Sequence, residues 1–356
     1  MEKKKVIIVT GSCGRIGKGV VKELGERYRM VGFELLQAFY ASANEELVPV
    51  DISSDESVHQ AFTHIRNFYG DEISSVIHLA AYYSFNDAHS DKYDKITVQG
   101  TRRLLEALQG FKVEQFIFSS TMLVHKPCEP NESINEQWPV VPSWAYPESK
   151  VKTEKIIHEK RGNIPTVILR IAGVYTDYCD SIPISNQIQR IYEKQITSRF
   201  FPGDISHGSS FLHMDDMVSC ICACVEKRHE LPQELVLEVG EPKTMSYDQL
   251  QRKISSLLFG KEFSTVRIPK CLAIIGAWMQ SHIPFMPAPF IKPWMIPLAD
   301  DNYTLDITRA KSLLGWEPKN YIEDVLPTMI EHLQANPVEW YKHHHLNAPK
   351  WLAKEK

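Results

Sequence analysis

Residues 6–24 read VIIVTGSCGRIGKGVVKEL. A short apolar run, Val6 to Val9, leads into Gly11, Gly14 and Gly17, and a helical pattern follows. Glycine is needed where a backbone turns tightly and passes close to a pyrophosphate, and the N-terminus of the next helix then faces the anion. Glycines alone would be weak evidence. A strand before them and a helix after them predict a dinucleotide-binding turn.

Working outward, the next apolar run ends MVGFELL. Glu34 falls 17 residues beyond Gly17, near the place where an acidic residue bonds the ribose hydroxyls of a dinucleotide. A carboxylate there repels a 2′-phosphate, so Glu34 predicts NAD over NADP. Met30–Phe33, Leu47–Val50, Val76–Leu79, Phe116–Phe118 and Val167–Leu169 read as short buried strands. Helical patterns lie between them, such as TVQGTRRLLEALQG (97–110) and YPESKVKTEKIIHEK (146–160). Apolar strands alternating with helices predict an α/β fold, a Rossmann-type doubly wound parallel sheet.

After about Tyr175 the pattern loosens and prolines accumulate. Helices are expected around 182–195, 214–227, 246–258, 306–314 and 321–334. The expected organisation is an NAD-binding Rossmann domain over 1–175, with segments near 211–240 returning to it. Residues 176–350 form mainly a substrate-binding region.

The chain of 356 residues carries a net charge of -4 and shows no basic stripe, which argues against nucleic acid as a partner. Its first apolar run is too short for the core of a signal peptide. Between Cys271 and Ala299 lies a longer apolar stretch, broken by Lys292 and five prolines, so no transmembrane segment is expected. The 7 cysteines are scattered. Cys220, Cys222 and Cys224 read as small apolar residues of a buried helix. No metal site is expected: in the run His343–His345 adjacent side chains should diverge. The expected location is the cytoplasm.

Residues 144–152, WAYPESKVK, place Tyr146 and Lys150 four apart, on one face of a helix. With 14 Tyr in the chain, chance supplies about one such spacing. Its meaning comes from its neighbours. The spacing GxxGxxG resembles the short-chain dehydrogenase/reductases, specifically their extended branch, the NAD-dependent epimerase/dehydratase family. VPVDIS, VIHLAAYYS, TVQGTRRLLEAL, FIFSST, ILRIAGVY, FLHMDDMV and LDITRAKSLLGWEP resemble family blocks in the same order. Thr97 stands where the family usually has Asn.

The resemblance implies NAD as cofactor and a set of residues around it: Gly11, Cys13, Gly14, Arg15, Ile16, Gly17, Glu34, Asp51, Ile52, Leu79, Ala80 and Ala81. It also implies a catalytic set. Tyr146 is the acid/base, Lys150 tunes it and binds the cofactor ribose, and Thr121 positions the substrate. The chemistry needs such a set. Hydride transfer at an alcohol carbon requires a group to take or return the hydroxyl proton, and a free phenol, with a pKa of about 10, is a poor base at neutral pH. A neighbouring ammonium and the positive nicotinamide favour the phenolate.

Departures from the family narrow the reaction. Met122 and Leu123 follow Thr121 where sugar dehydratases place Asp-Glu. Ser209 and Ser210 stand where nucleotide-sugar epimerases carry a diphosphate-binding Arg. Ala172 and Gly173 fall in a block that usually holds Asn, and His125 stands where many epimerases have a second Tyr. Residues 271–299, rich in Trp, Met, Phe and Ile, would suit either an apolar ligand or a packed lobe. Three readings stay open. The favoured one is an oxidoreductase acting on a secondary alcohol or ketone, with a sterol-, lipid- or polyketide-like substrate if that segment lines the site. The second is a nucleotide-sugar epimerase with tightly bound NAD. The third is a NAD-sensing binding protein without turnover. Relatives dimerise through two helices per subunit, so a homodimer through the helices near 97–109 and from Tyr146 is expected.

Overall fold

The computed structural model of the chain describes residues 4–36, 45–84, 90–282 and 292–352. Seven parallel strands form the main sheet: β1 (Val6–Thr10), β2 (Arg29–Glu34), β3 (Glu45–Pro49), β4 (Ser75–His78), β5 (Phe116–Thr121), β6 (Thr166–Ile171) and β7 (Glu234–Val239). β2 and then β3 lie to one side of β1, while β4, β5, β6 and β7 follow in turn on the other. The strand order therefore reverses beside β1, and that is where doubly wound sheets bind ligands, outside the carboxyl ends of the strands.

Alternation along each strand sends side chains into two separate cores. Ile7 and Val9 of β1 face one core and Val6 and Ile8 the other. Likewise Ile117 of β5 faces the first core, and Phe116 and Phe118 face the second. The first core is closed by α1 (Arg15–Leu24) and α6 (Met214–Glu226), through Val20, Val21 and Leu24 against Met217, Cys220 and Ile221. On the opposite face lie α2 (Asp55–Tyr69), α3 (Gln99–Leu108) and α4 (Ala145–Lys160), contributing Ile65, Leu104, Leu105 and Ile157. Both faces are covered, which is why the strands read as unbroken apolar runs. Cys220, Cys222 and Cys224 are all buried on α6.

A third core sits in the later half of the chain. It joins α5 (Ile182–Tyr192), α7 (Tyr247–Phe259), α10 (Ile322–Ala335) and α11 (Pro337–His343) through Ile188, Ile254, Leu326, Met329 and Trp340. Two elements lie outside the sequence expectations. Tyr93–Val98 forms a π-helical turn directly before α3. The apolar stretch after Cys271 contributes to helix α8 (Lys270–His282), and part of it, 283–291, lies outside the described residues. No helix among the described residues is long and apolar enough to cross a membrane.

Candidate active site

The glycine turn closes between β1 and α1. Gly11 takes a left-handed backbone, φ 72°, and a Cβ there would lie 3.1 Å from the Ala80 nitrogen. At Gly17 a Cβ would stand 2.4 Å from the Gly11 carbonyl oxygen and 2.6 Å from Ser12 Cα, so the first helical turn rests directly on the loop. Gly14 is the N-cap of α1, which has no side-chain cap and no acidic residue in its first turn. Its leading N–H groups and the positive end of its dipole are thus left for an anion. This cradle fits a dinucleotide pyrophosphate. Glu34, at the end of β2, reaches back over the same turn, where its Oε2 accepts the Cys13 N–H at 3.1 Å. That places a carboxylate beside the glycine turn, as ribose recognition requires.

Of the other sequence-expected cofactor residues, Leu79 and Ala80 lie against this turn. Leu79, Ala80 and Ala81 continue from β4, and a chain of hydrogen bonds holds them in place. The Ala80 N–H donates to Thr10 Oγ1 at 3.1 Å, and Thr10 Oγ1 lies 2.6 Å from His78 Nδ1. His78 Nε2 lies 2.9 Å from Thr101 Oγ1, which itself donates to the Thr97 carbonyl. That direction of donation places a proton on His78 Nε2. Burial, reinforced by the charge of Lys150, pushes the imidazole down to about 3, which leaves it neutral. Thr97 also accepts the Tyr82 N–H at 3.0 Å. Ile52 is buried, while Asp51 is exposed and caps its own loop by accepting the Ser53 N–H at 2.9 Å. Ile16 packs against the first core. Arg15 turns away from the glycines to pair with Asp180 at 2.8 Å.

Three consecutive residues of β5 grip three residues of α4. The Ser119 carbonyl accepts Lys150 Nζ at 2.7 Å, and Ser120 Oγ donates to Glu154 Oε1 at 2.5 Å. The Thr121 side chain, whose Oγ1 accepts the Leu123 N–H at 3.3 Å, also bears on the Tyr146 phenol and lowers its pKa. Lys150 is buried, with its ammonium 4.7 Å from the Phe118 ring centre and 5.8 Å from that of Tyr146. Burial lowers Lys150 to about 7, against which Glu154 pulls upward. The Tyr146 ring keeps some exposed surface, but its phenol is hemmed in by protein, and the second fact governs its acidity. Burial pushes the phenol up to about 12, although Thr121 lowers it. The sequence reading expected Lys150 together with the nicotinamide to bring this value down; in the protein by itself burial sets the direction.

Behind Lys150 the charges continue inward. Arg170 holds Glu154 with two hydrogen bonds, at 2.7 and 3.2 Å. Its other nitrogen lies 3.1 Å from His125 Nε2, and His125 Nε2 is 2.8 Å from Glu238. His125, at the position of a second epimerase Tyr, is therefore fully buried in an ion network. Ser210 is buried as well, donating to the Glu241 carbonyl at 2.7 Å.

Sequence reasoning missed an aromatic cluster at the phenol. Trp144 and Tyr146 lie 5.4 Å apart by ring centre, and Tyr83 meets Tyr146 edge-on at 4.7 Å. Trp294, from the turn Pro293–Leu298, lies 5.4 Å from Trp144. It belongs to the apolar stretch 271–299, so that stretch reaches Trp144, the neighbour of Tyr146. The expectation that His343 and His344 diverge is corrected: their rings lie 5.0 Å apart, because α11 ends at His343. Both approach Asp180 closely enough for a metal-ligand group. The Asp180 carboxylate is already engaged, by Arg15 and His343 on Oδ1 and by Thr176 on Oδ2.

The profile of the NAD dependent epimerase/dehydratase family matches residues 7–240. The chain is similar to 3 beta-hydroxysteroid dehydrogenase type 7 of Mus musculus, 26% identical with 93% of this chain and 96% of that protein covered. It is also similar to a UDP-glucose 4-epimerase of Lactobacillus helveticus, 22% identical over 95% of this chain and 97% of the other. Among solved structures, UDP-glucuronic acid 4-epimerase from Bacillus cereus, in complex with UDP-glucuronic acid and NAD, superposes with a TM-score of 0.69 at 20% identity. That match covers 93% of this chain and 99% of the other, and it shows a shared fold.

Proposed function

The chain belongs to the NAD-dependent epimerase/dehydratase family, and from that premise we propose that it transfers hydride at a secondary alcohol or ketone carbon. The observation that carries this reading is the assembly of Thr121, Tyr146 and Lys150 by β5 and α4. NAD, when bound, supplies the acceptor or donor of hydride. Gly11, Gly14 and Gly17 would cradle its pyrophosphate and Glu34 its adenosine ribose.

The protein's own residues handle the proton. Thr121 holds the substrate oxygen beside the phenol. In reduction Tyr146 gives its proton to the carbonyl oxygen as hydride reaches the carbon; in oxidation it takes the hydroxyl proton as hydride leaves. A phenol near 12 is protonated at neutral pH, so the resting site is loaded as an acid, for reduction. Oxidation needs the phenolate, which positive charge at the nicotinamide and at Lys150 would favour.

Relatives on both sides keep a second reading in play, that of a sugar-nucleotide epimerase. An epimerase returns its hydride to the same molecule and leaves no net NADH. The Ser209–Ser210 segment, with Ser210 turned inward to the Glu241 carbonyl, offers no side-chain cation to a diphosphate and favours the oxidoreductase. The test is Tyr146→Phe, assayed by NADH absorbance with a panel of alcohols and ketones and by NAD titration. Turnover should vanish with NAD affinity changed by less than about twofold. Unchanged turnover would sink the mechanism, and no turnover by the wild type on the whole panel would leave a non-catalytic NAD-binding protein.

A further inference from the structure

The hydride-transfer reading leaves the substrate unnamed, and the surroundings of Tyr146 bear on it. Trp144 is the residue just before α4, in extended backbone with φ -158° and ψ 173°. That conformation sets its indole 5.4 Å from the Tyr146 ring at 42° and 6.5 Å from Tyr83. Trp294 extends the same surface, 5.4 Å from Trp144 at 43°. It arrives from 150 residues away in the sequence and is held firmly. Pro293 opens its turn, Ile296 is buried beneath it, and Lys270 Nζ donates to the Pro297 carbonyl at 2.7 Å. Neither indole is buried: both keep intermediate exposure, and Tyr83 is 45% exposed.

We propose that Trp144 and Trp294, with Tyr83, are specificity-determining residues that select an uncharged, ring-shaped apolar alcohol or ketone and present its oxygen to Tyr146. The proposal rests on the reading of Tyr146 above for the placement of that oxygen. Tilted indole faces offer broad apolar area and repel an anion through the negative face of the ring. A substrate diphosphate would need a cation or a helix N-terminus of its own close by. Lys270, the lysine tied to the turn of Trp294 through the Pro297 carbonyl, is already paired with Asp300. A fused alicyclic ring has no charge to satisfy and gains from every face it covers.

The experiment uses the full chain saturated with NADH, with trans-decalone and cholestanone as probes and UDP-glucose as the contrasting ligand. Equilibrium dialysis measures binding, and NADH absorbance measures turnover. At least one ketone should bind saturably. Trp294→Ala and Trp144→Ala should each weaken it about tenfold or more, and Trp294→Phe should recover most of the loss while unfolding as the wild type does. The proposal is overturned if neither ketone binds, or if both indole truncations leave affinity unchanged. It is equally overturned if UDP-glucose binds tighter than the ketones and depends on Trp294. Ketone binding that needs the indoles but gives no turnover would remove the hydride-transfer reading and leave this one standing. Turnover of a ketone without dependence on the indoles would do the reverse.

Discussion

Replacing Glu154 by Gln isolates what keeps Lys150 charged. Residues four apart on a helix stand about 5–6 Å apart. A full interaction between unit charges at that distance, with an effective dielectric of about 20, is about 3 kcal/mol, equivalent to about two pH units. Arg170 shares the Glu154 carboxylate and offsets part of this, leaving about one pH unit. In the wild type the ammonium is present below about 7 and is lost as pH rises through that value, since burial has brought Lys150 down from 10.5. In Glu154→Gln the loss should begin about one pH unit lower. Measured as kcat/KM for NADH in ketone reduction, which reports the free enzyme, activity should fall about tenfold at pH 8 and change little at pH 5. Glu154→Asp keeps the charge and should keep the wild-type profile. A Glu154→Gln profile lowered by the same factor at every pH would refute the argument and leave Glu154 a structural role alone.

Glu34→Ser removes the carboxylate that faces the glycine turn and should raise the preference for NADPH over NADH by about tenfold or more, read from the ratio of kcat/KM values; an unchanged ratio would remove Glu34 from ribose recognition. Gly17→Ala drives a methyl into the Gly11 carbonyl and Ser12 Cα, backbone atoms that cannot rotate away. It should lower stability by about 1–3 kcal/mol in denaturant unfolding and weaken NAD binding beyond that loss. Light scattering should give the mass of a homodimer joined through α3 and α4; a monomeric mass would discard that interface.

What was legible in the sequence was whatever lies close along the chain. The glycines and the Tyr–Lys pair depend on spacing within one turn or one helix, and Glu34 on the length of a single βα unit, so their geometry follows from their numbering. The buried charges did not announce themselves. Glu154, Arg170, His125 and Glu238 sit on four separate segments that only the parallel register of β5, β6 and β7 brings together. Trp144 stood two residues from the quoted tyrosine and Trp294 inside the apolar stretch, but no periodicity links them. The stretch was readable as apolar and not as near. The Tyr146 value went the other way from expectation because sequence reveals which charges are present and not how much water surrounds them.

The grip of β5 on α4 has a consequence for how such a protein could change its task. One stretch of three strand residues sets the place of Tyr146, Lys150 and the lysine's counter-charge together, so none can be shifted without the others. The aromatic wall hangs on a separate short turn near Trp294, tied down by a buried isoleucine and one lysine. Chemistry and selectivity are therefore separable parts. Exchanging the turn at 293–298 would re-address the same reaction to a different molecule, whereas a one-residue slip in 119–121 would end the reaction for every molecule at once.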